Sequence, residues 1–162
     1  MWLSDRRVFL GSLLALTGCG FAPVYGPGGA ANLLQNRVAV DEPADRDSYL
    51  LVRQLETRLG RGNAPVYGLS LGLDVKQERM AIDASNITTR FNVIGKSTFA
   101  LRDLRDGKVI TSGSVNSFTG YSATGSTAAT LAAKRDAYER LVTILADQIV
   151  NRLIATADEL PA

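Results

Sequence analysis

From Tyr67 to Val75 the chain alternates. Tyr67, Leu69, Leu71, Leu73 and Val75 are separated by Gly68, Ser70, Gly72 and Asp74. Side chains of a strand point to opposite faces in turn, so this run predicts a strand with one apolar face and one solvated face. An apolar sheet face has to be covered by another layer. Phe91 to Leu101 repeats the pattern, with Phe91, Val93, Phe99 and Leu101 on one face and Arg90, Asn92, Lys96, Thr98 and Arg102 on the other. Asp106-Gly107, inside Leu104–Val109, is a hairpin signal. The next strand is expected from about Lys108 to Val115, with a continuation towards Tyr121. A shorter strand, Arg37 to Val40, precedes them and is closed by Asp41-Glu42-Pro43.

Two helices supply the cover. Leu51, Val52, Leu55 and Leu59 follow helical spacing over Ser48 to Leu59, with Asp47 as the expected cap and Gly60 at the end. A longer helix is expected over Ala128 to Ile154, its apolar stripe being Tyr138, Leu141, Leu145, Ile149 and Leu153. Between the last strand and this helix, Ser114 to Thr127 is rich in Ser, Thr and Gly and reads as a loop, although Phe118 and Tyr121 indicate that part of it packs. The expected fold is α+β: two helices packed on one face of a four-stranded, mostly antiparallel, mixed sheet. The first two strands are separated by a helix, which suits a parallel pair joined by a right-handed crossover.

The N-terminus has a separate logic. Arg6 and Arg7 precede an uncharged, mostly apolar run, Val8 to Leu16, which is too short to span a bilayer at roughly 20 residues. It has the length of a signal-peptide apolar region. It ends in Leu16-Thr17-Gly18-Cys19, an order that resembles the bacterial lipobox. The chain therefore divides into a signal peptide at 1–18, a lipidated N-terminus and tether at 19–35, one domain at 36–155 and a tail at 156–162. The lipobox resemblance implies a diacylglyceryl thioether and an N-acyl chain on Cys19 as the only attached group. Several acyl chains anchor stably where one is marginal. Gly20, rather than aspartate, follows Cys19, which under enterobacterial sorting rules favours the outer membrane. Arg6-Arg7-Val8-Phe9-Leu10 also resembles a twin-arginine core, so the export route stays open.

Composition excludes more than it selects. The 162 residues contain no His and one Cys. The commonest general base and metal ligand is missing, and no internal disulfide can form. Removing residues 1–18 takes Arg6, Arg7 and Asp5, leaving 16 basic and 15 acidic residues and a net charge of +1. No basic stripe marks a nucleic-acid surface, and no nucleophile elbow, zinc motif or phosphate loop is present. No enzyme and no nucleic-acid partner are expected.

Gly18-Cys19-Gly20-Phe21-Ala22-Pro23-Val24-Tyr25-Gly26 resembles the start of the lipopolysaccharide-assembly lipoprotein family LptE, whose members begin Gly-Cys-Gly-Phe and then carry a proline and a tyrosine. Val24 departs from the frequent leucine. Ala133 to Leu141, followed by Leu145-Ala146-Asp147-Gln148-Ile149, resembles the last helix of that family. The resemblance implies a plug inside the outer-membrane barrel LptD that assists assembly and surface export of lipopolysaccharide. It implies no catalysis. An auxiliary lipoprotein of an ABC-type lipid transporter, or a lipid-anchored hydrolase, remains the alternative.

On that reading, lipopolysaccharide would meet Arg90, Lys96 and Arg102 on one strand face and Arg105 and Lys108 flanking the hairpin turn. Arginine matches phosphate geometry, and the same charges also suit an ordinary solvated face. The partner barrel would be met by the short side chains of the Ser/Thr/Gly-rich segment, at Gly120, Ser122 and Gly125.

Overall fold

The computed structural model describes Val24, Gly26 and residues 29–82 and 88–160. Its elements are β1 (Val38–Val40), α1 (Arg46–Leu59), β2 (Tyr67–Ile82), β3 (Thr88–Asp103), β4 (Val109–Ser122) and α2 (Thr127–Ala155), with short 3-10 turns at Ala30–Leu33 and Ala157–Glu159. The sheet order is β1-β2-β3-β4. β1 runs parallel to β2 through the α1 crossover, and β2–β3 and β3–β4 are antiparallel. This is the expected α+β architecture with a mixed sheet.

The core lies between the helices and one sheet face. Leu69, Val93 and Leu101 from the sheet meet Leu51 and Leu55 of α1 and Leu141, Leu145, Ile149 and Leu153 of α2, all fully buried. α2 lies close against β3: a Cβ on Gly95 would stand 3.0 Å from the side chains of Leu141 and Leu145. Glycine there lets the helix approach the strand. The buried Thr119 hydroxyl donates to the Ala137 carbonyl (2.7 Å), pinning β4 to α2. Arg58 of α1 pairs with Asp147 of α2.

Several boundaries differ from the sequence expectation, each for a physical reason. The cap of α1 is Asp45, not Asp47. Its carboxylate accepts from the Ser48 amide (2.7 Å), and its own amide donates to the Ser48 hydroxyl (2.9 Å). This reciprocal box needs a hydrogen-bond acceptor side chain three residues after the cap, which Ser48 supplies. Asp47 instead lies in the first turn. β2 and β3 run well beyond Val75 and begin before Phe91. Lys76, Gln77, Glu78, Arg79 and Met80 are all exposed, so the distal end of this hairpin is held by its ladder rather than by one-sided burial. No period-two signal marks it for that reason. The Ser/Thr/Gly-rich segment is mostly strand: β4 continues to Ser122, because Val115, Thr119 and Tyr121 point into the core. Tyr121 stacks on Phe91 at 5.2 Å. Phe118, of the opposite parity, is 67% exposed on the uncovered face instead of packing. Leu71 is only half-buried, and Leu69 is the fully buried centre of the β2 face.

The core also reaches outside the expected domain limits. Ala31 and Leu34 are buried, at the end of the segment read as a tether, and Ala157 is buried beyond α2. The two 3-10 turns pack on each other. Cys19 and the signal region lie outside the described residues. Among the described residues, no helix is long and apolar enough to cross a membrane.

Candidate functional site: the uncovered sheet face and its β4 edge

The helices cover one face of the sheet and leave the other open. The register sets Gly68, Ser70, Gly72 and Asp74 of β2 beside Arg102, Ala100, Thr98 and Lys96 of β3. Ser114, Asn116, Phe118, Gly120 and Ser122 of β4 lie beside Thr98, Lys96, Ile94, Asn92 and Arg90. Short polar side chains and glycine make up most of this surface. The same alternation that built the core built it.

Arg90, Lys96 and Arg102 do share this face, as the sequence predicts. They do not converge. Six residues separate each from the next, which at the strand rise is about 20 Å. One phosphate group cannot touch all three. Arg102 is already engaged: its guanidinium grips the Asp41 carboxylate at 2.6 and 3.0 Å and donates to the Ser70 hydroxyl at 3.2 Å. The Asp41 carboxylate therefore holds the guanidinium pKa above its ordinary value. This pair straps the end of β1 to β3 across β2.

Arg105 is engaged too. It donates to both oxygens of Asp103 at 2.7–3.1 Å, and its backbone amide donates to the same carboxylate at 2.8 Å. The guanidinium, and then the amide, hold the Asp103 carboxyl below the usual carboxylate range. Arg105 and Lys108 line a groove of about 360 Å³ that also contains Asp103, Asp106 and Glu159. Three carboxylates against two cations do not make an anion site. Gly107 closes the turn at φ 74°, a conformation glycine adopts without strain. Among the described residues, Arg90 and Lys96 are the members of the expected cationic set on the open face without an ion pair.

The three expected partner-contact residues lie close together around the end of β4. The Gly120 carbonyl accepts from Arg140 of α2 at 3.2 Å, and a Cβ at Gly120 would meet the Asn92 side-chain oxygen at 3.1 Å. Ser122 is exposed, with its hydroxyl 3.0 Å from that of Thr124. Gly125 is exposed in the turn before Ser126, whose hydroxyl caps α2. Sequence reasoning missed Asp41 and Asp103 as partners of the arginines, and Arg140, Gln148, Asn151 and Arg152 as the α2 residues beside β4. Only the Asp103–Arg105 spacing carried a local signal. The others are brought together by the fold.

No metal-binding cluster of acidic, His or Cys side chains occurs among the described residues. The model of the LptE family, described as lipopolysaccharide-assembly, matches residues 35–153. This chain belongs to the LptE family. The matched span contains every strand and almost all of α2, so the family assignment and the fold rest on the same residues. A crystal structure described as a lipoprotein, from Caulobacter crescentus CB15, is similar with a TM-score of 0.68 and 24% identity, over 82% of this chain and 98% of that one. The rare lipoprotein B of Shewanella oneidensis is similar with a TM-score of 0.54 and 13% identity, over 74% and 92%. A minor lipoprotein of Acinetobacter baumannii gives 0.55 and 20%, over 73% and 91%. At these identities the likeness is one of fold. No curated protein sequence matches the chain. The family places this LptE-type chain in lipopolysaccharide assembly, and its description names no reaction.

Proposed function

We propose that this LptE-family chain is an outer-membrane lipoprotein, anchored through acyl chains on Cys19, that sits as a plug in the barrel LptD and assists assembly and surface export of lipopolysaccharide. The observation that carries the reading is the uncovered sheet face. A domain held inside a water-filled barrel needs a surface that is polar and nearly neutral, with side chains short enough for close approach. The open face of β2–β4 offers glycine, serine, threonine and asparagine, and the chain without residues 1–18 has a net charge of +1. Family membership supplies the direction in which to read that surface.

Lipopolysaccharide contact, on this reading, falls to Arg90 and Lys96, whose charges are not spent on neighbouring carboxylates. Arg102, Arg105 and Lys108 are poorer candidates, because two are in ion pairs and the third shares a groove with three carboxylates. The role requires no catalysis by the chain.

A photo-crosslinking amino acid at Ser122 tests the plug directly. In intact cells, Ser122 should crosslink to a large outer-membrane barrel, and a probe at Leu145, buried under the sheet, should not. Crosslinks from Ser122 to an inner-membrane transporter would replace the plug with an ABC-type auxiliary role.

A further inference from the structure

The two edges of the sheet are unlike. β1 is three residues long, whereas β4 runs for 14 residues, Val109–Ser122, with no Lys, Arg, Asp, Glu or Pro. Natural sheets usually blunt a long edge with charge, proline or a covering element, because its unpaired amides and carbonyls invite another strand. This edge carries no such protection along its own sequence.

Which backbone groups are free follows from the ladder. The Ala123 amide donates to the Thr89 carbonyl (2.9 Å), and Arg90 registers with Ser122. Antiparallel pairing alternates, so the odd-numbered residues of β4 from Thr111 turn their amides and carbonyls to β3, and the even-numbered ones turn theirs outward. Arg140 takes the outward carbonyl of Gly120. Among the described residues, nothing takes the outward groups of Ser112, Ser114, Asn116 and Phe118. Beside them, Ser114, Val115 and Asn116 form one wall of a groove of about 370 Å³, and Gln148, Asn151 and Arg152 of α2 form the other. Arg152 is exposed and makes no ion pair with a described residue. A strand laid on the edge would run past two amide side chains and one uncompensated guanidinium.

We propose that the Ser112–Phe118 edge of β4 takes an extended segment of the barrel partner as a fifth strand, and that this segment carries a carboxylate reaching Arg152. Main-chain pairing at a free edge supplies affinity, and side-chain pockets supply specificity. A second copy of this chain fits less well. Its β4 contains no acidic residue to meet Arg152, and it would bring its own Arg140 and Arg152 to the same seam. The proposal rests on the plug reading.

Hydrogen exchange of the complex purified from membranes, against the same full-length chain purified without its partner, tests it. In the complex the amides of Ser112, Ser114, Asn116 and Phe118 should exchange more slowly by roughly fivefold or more, about the worth of one hydrogen bond each. The amides of Gly113, Val115 and Ser117, already paired with β3, should change little. Asn116→Pro removes one outward donor and leaves the β3 ladder intact, as edge positions permit. It should lower recovery of the complex several-fold without a large shift in the melting temperature of the chain alone, and Arg152→Glu should lower it as well. Should Asn116→Pro impair folding, the wild-type exchange pattern decides. A barrel in the complex with unprotected even-numbered amides overturns the fifth strand and leaves the plug standing. Protection of those amides in the chain alone, rising with its concentration, overturns it in favour of self-pairing. If the wild-type chain brings down no barrel, the plug reading fails and the fifth strand falls with it.

Discussion

At the scale of single residues, two ion pairs tie down the ends of the sheet. Arg102 reaches from β3 to Asp41 beyond β1, and Arg105 wraps back onto Asp103. The Asp103 carboxyl is held below the usual carboxylate range by the Arg105 guanidinium, and Asp45 is lowered by the hydroxyl and amide of Ser48. A carboxyl whose folded pKa lies below its unfolded value contributes stability that is full above the unfolded value, about 4. That contribution is lost as pH falls through the folded value. Thermal melting followed from pH 6 to pH 2 should therefore show a midpoint that drops below about pH 4, and Asp103→Asn should flatten part of the drop. An unchanged acid limb in that variant would remove Asp103 from the account. Apolar residues sort just as sharply. Leu69 is fully buried and Leu71 half-exposed, so Leu69→Ala should cost about 2–5 kcal/mol in chemical denaturation and Leu71→Ala clearly less. Equal costs would mean that the buried centre of β2 has been misplaced.

At the scale of elements, the parts that repeat with a clear period were legible. Tyr67 to Val75 and Leu141 to Leu153 each bury one side, and alternation or helical spacing reports that burial. What the period could not report is structure in which few side chains of the strand are buried. The β2 half of the distal hairpin exposes Lys76 to Met80, so nothing in its side chains alternates. The serine- and glycine-rich β4 resembles a loop in composition, and only Val115, Thr119 and Tyr121 mark its inward face. The cap of α1 was displaced by two residues because Asp45 and Asp47 are both acceptable by type, and the choice depends on where Ser48 falls. Replacing Asp45 by Ala should lower stability measurably by removing the cap, and Asp47→Ala should lower it less, because Asp47 lies in the first turn and is not the capping residue. Denaturant midpoints of the two variants check this, and the reverse order would restore Asp47 as the cap. For the candidate site, the sequence placed Arg90, Lys96 and Arg102 on one face correctly but gave no distances. Strand rise spreads them over about 40 Å, and partners from distant parts of the chain, such as Asp41, were invisible to it.

At the scale of the whole molecule, the fold is a half-covered sheet: two helices over one face, and a polar face and an uncharged edge left open. The family assigns such chains to lipopolysaccharide assembly, and the open surface fits a protein that works enclosed by a partner. The anchor expected at Cys19 would hold this domain at the membrane. Cys19→Ala should release it into the soluble fraction without lowering its melting temperature, since the buried apolar core among the described residues begins at Ala31. Loss of folding in that variant would tie the anchor segment to the core. The central claim is the one-to-one complex with a barrel. Native mass spectrometry of the chain extracted from outer membranes, under conditions that keep assemblies intact, tests it most directly. The account predicts one copy of this chain, lacking residues 1–18 and carrying acyl mass on Cys19, bound to one copy of a large outer-membrane barrel. A chain recovered alone, or bound only to an inner-membrane transporter, would contradict it.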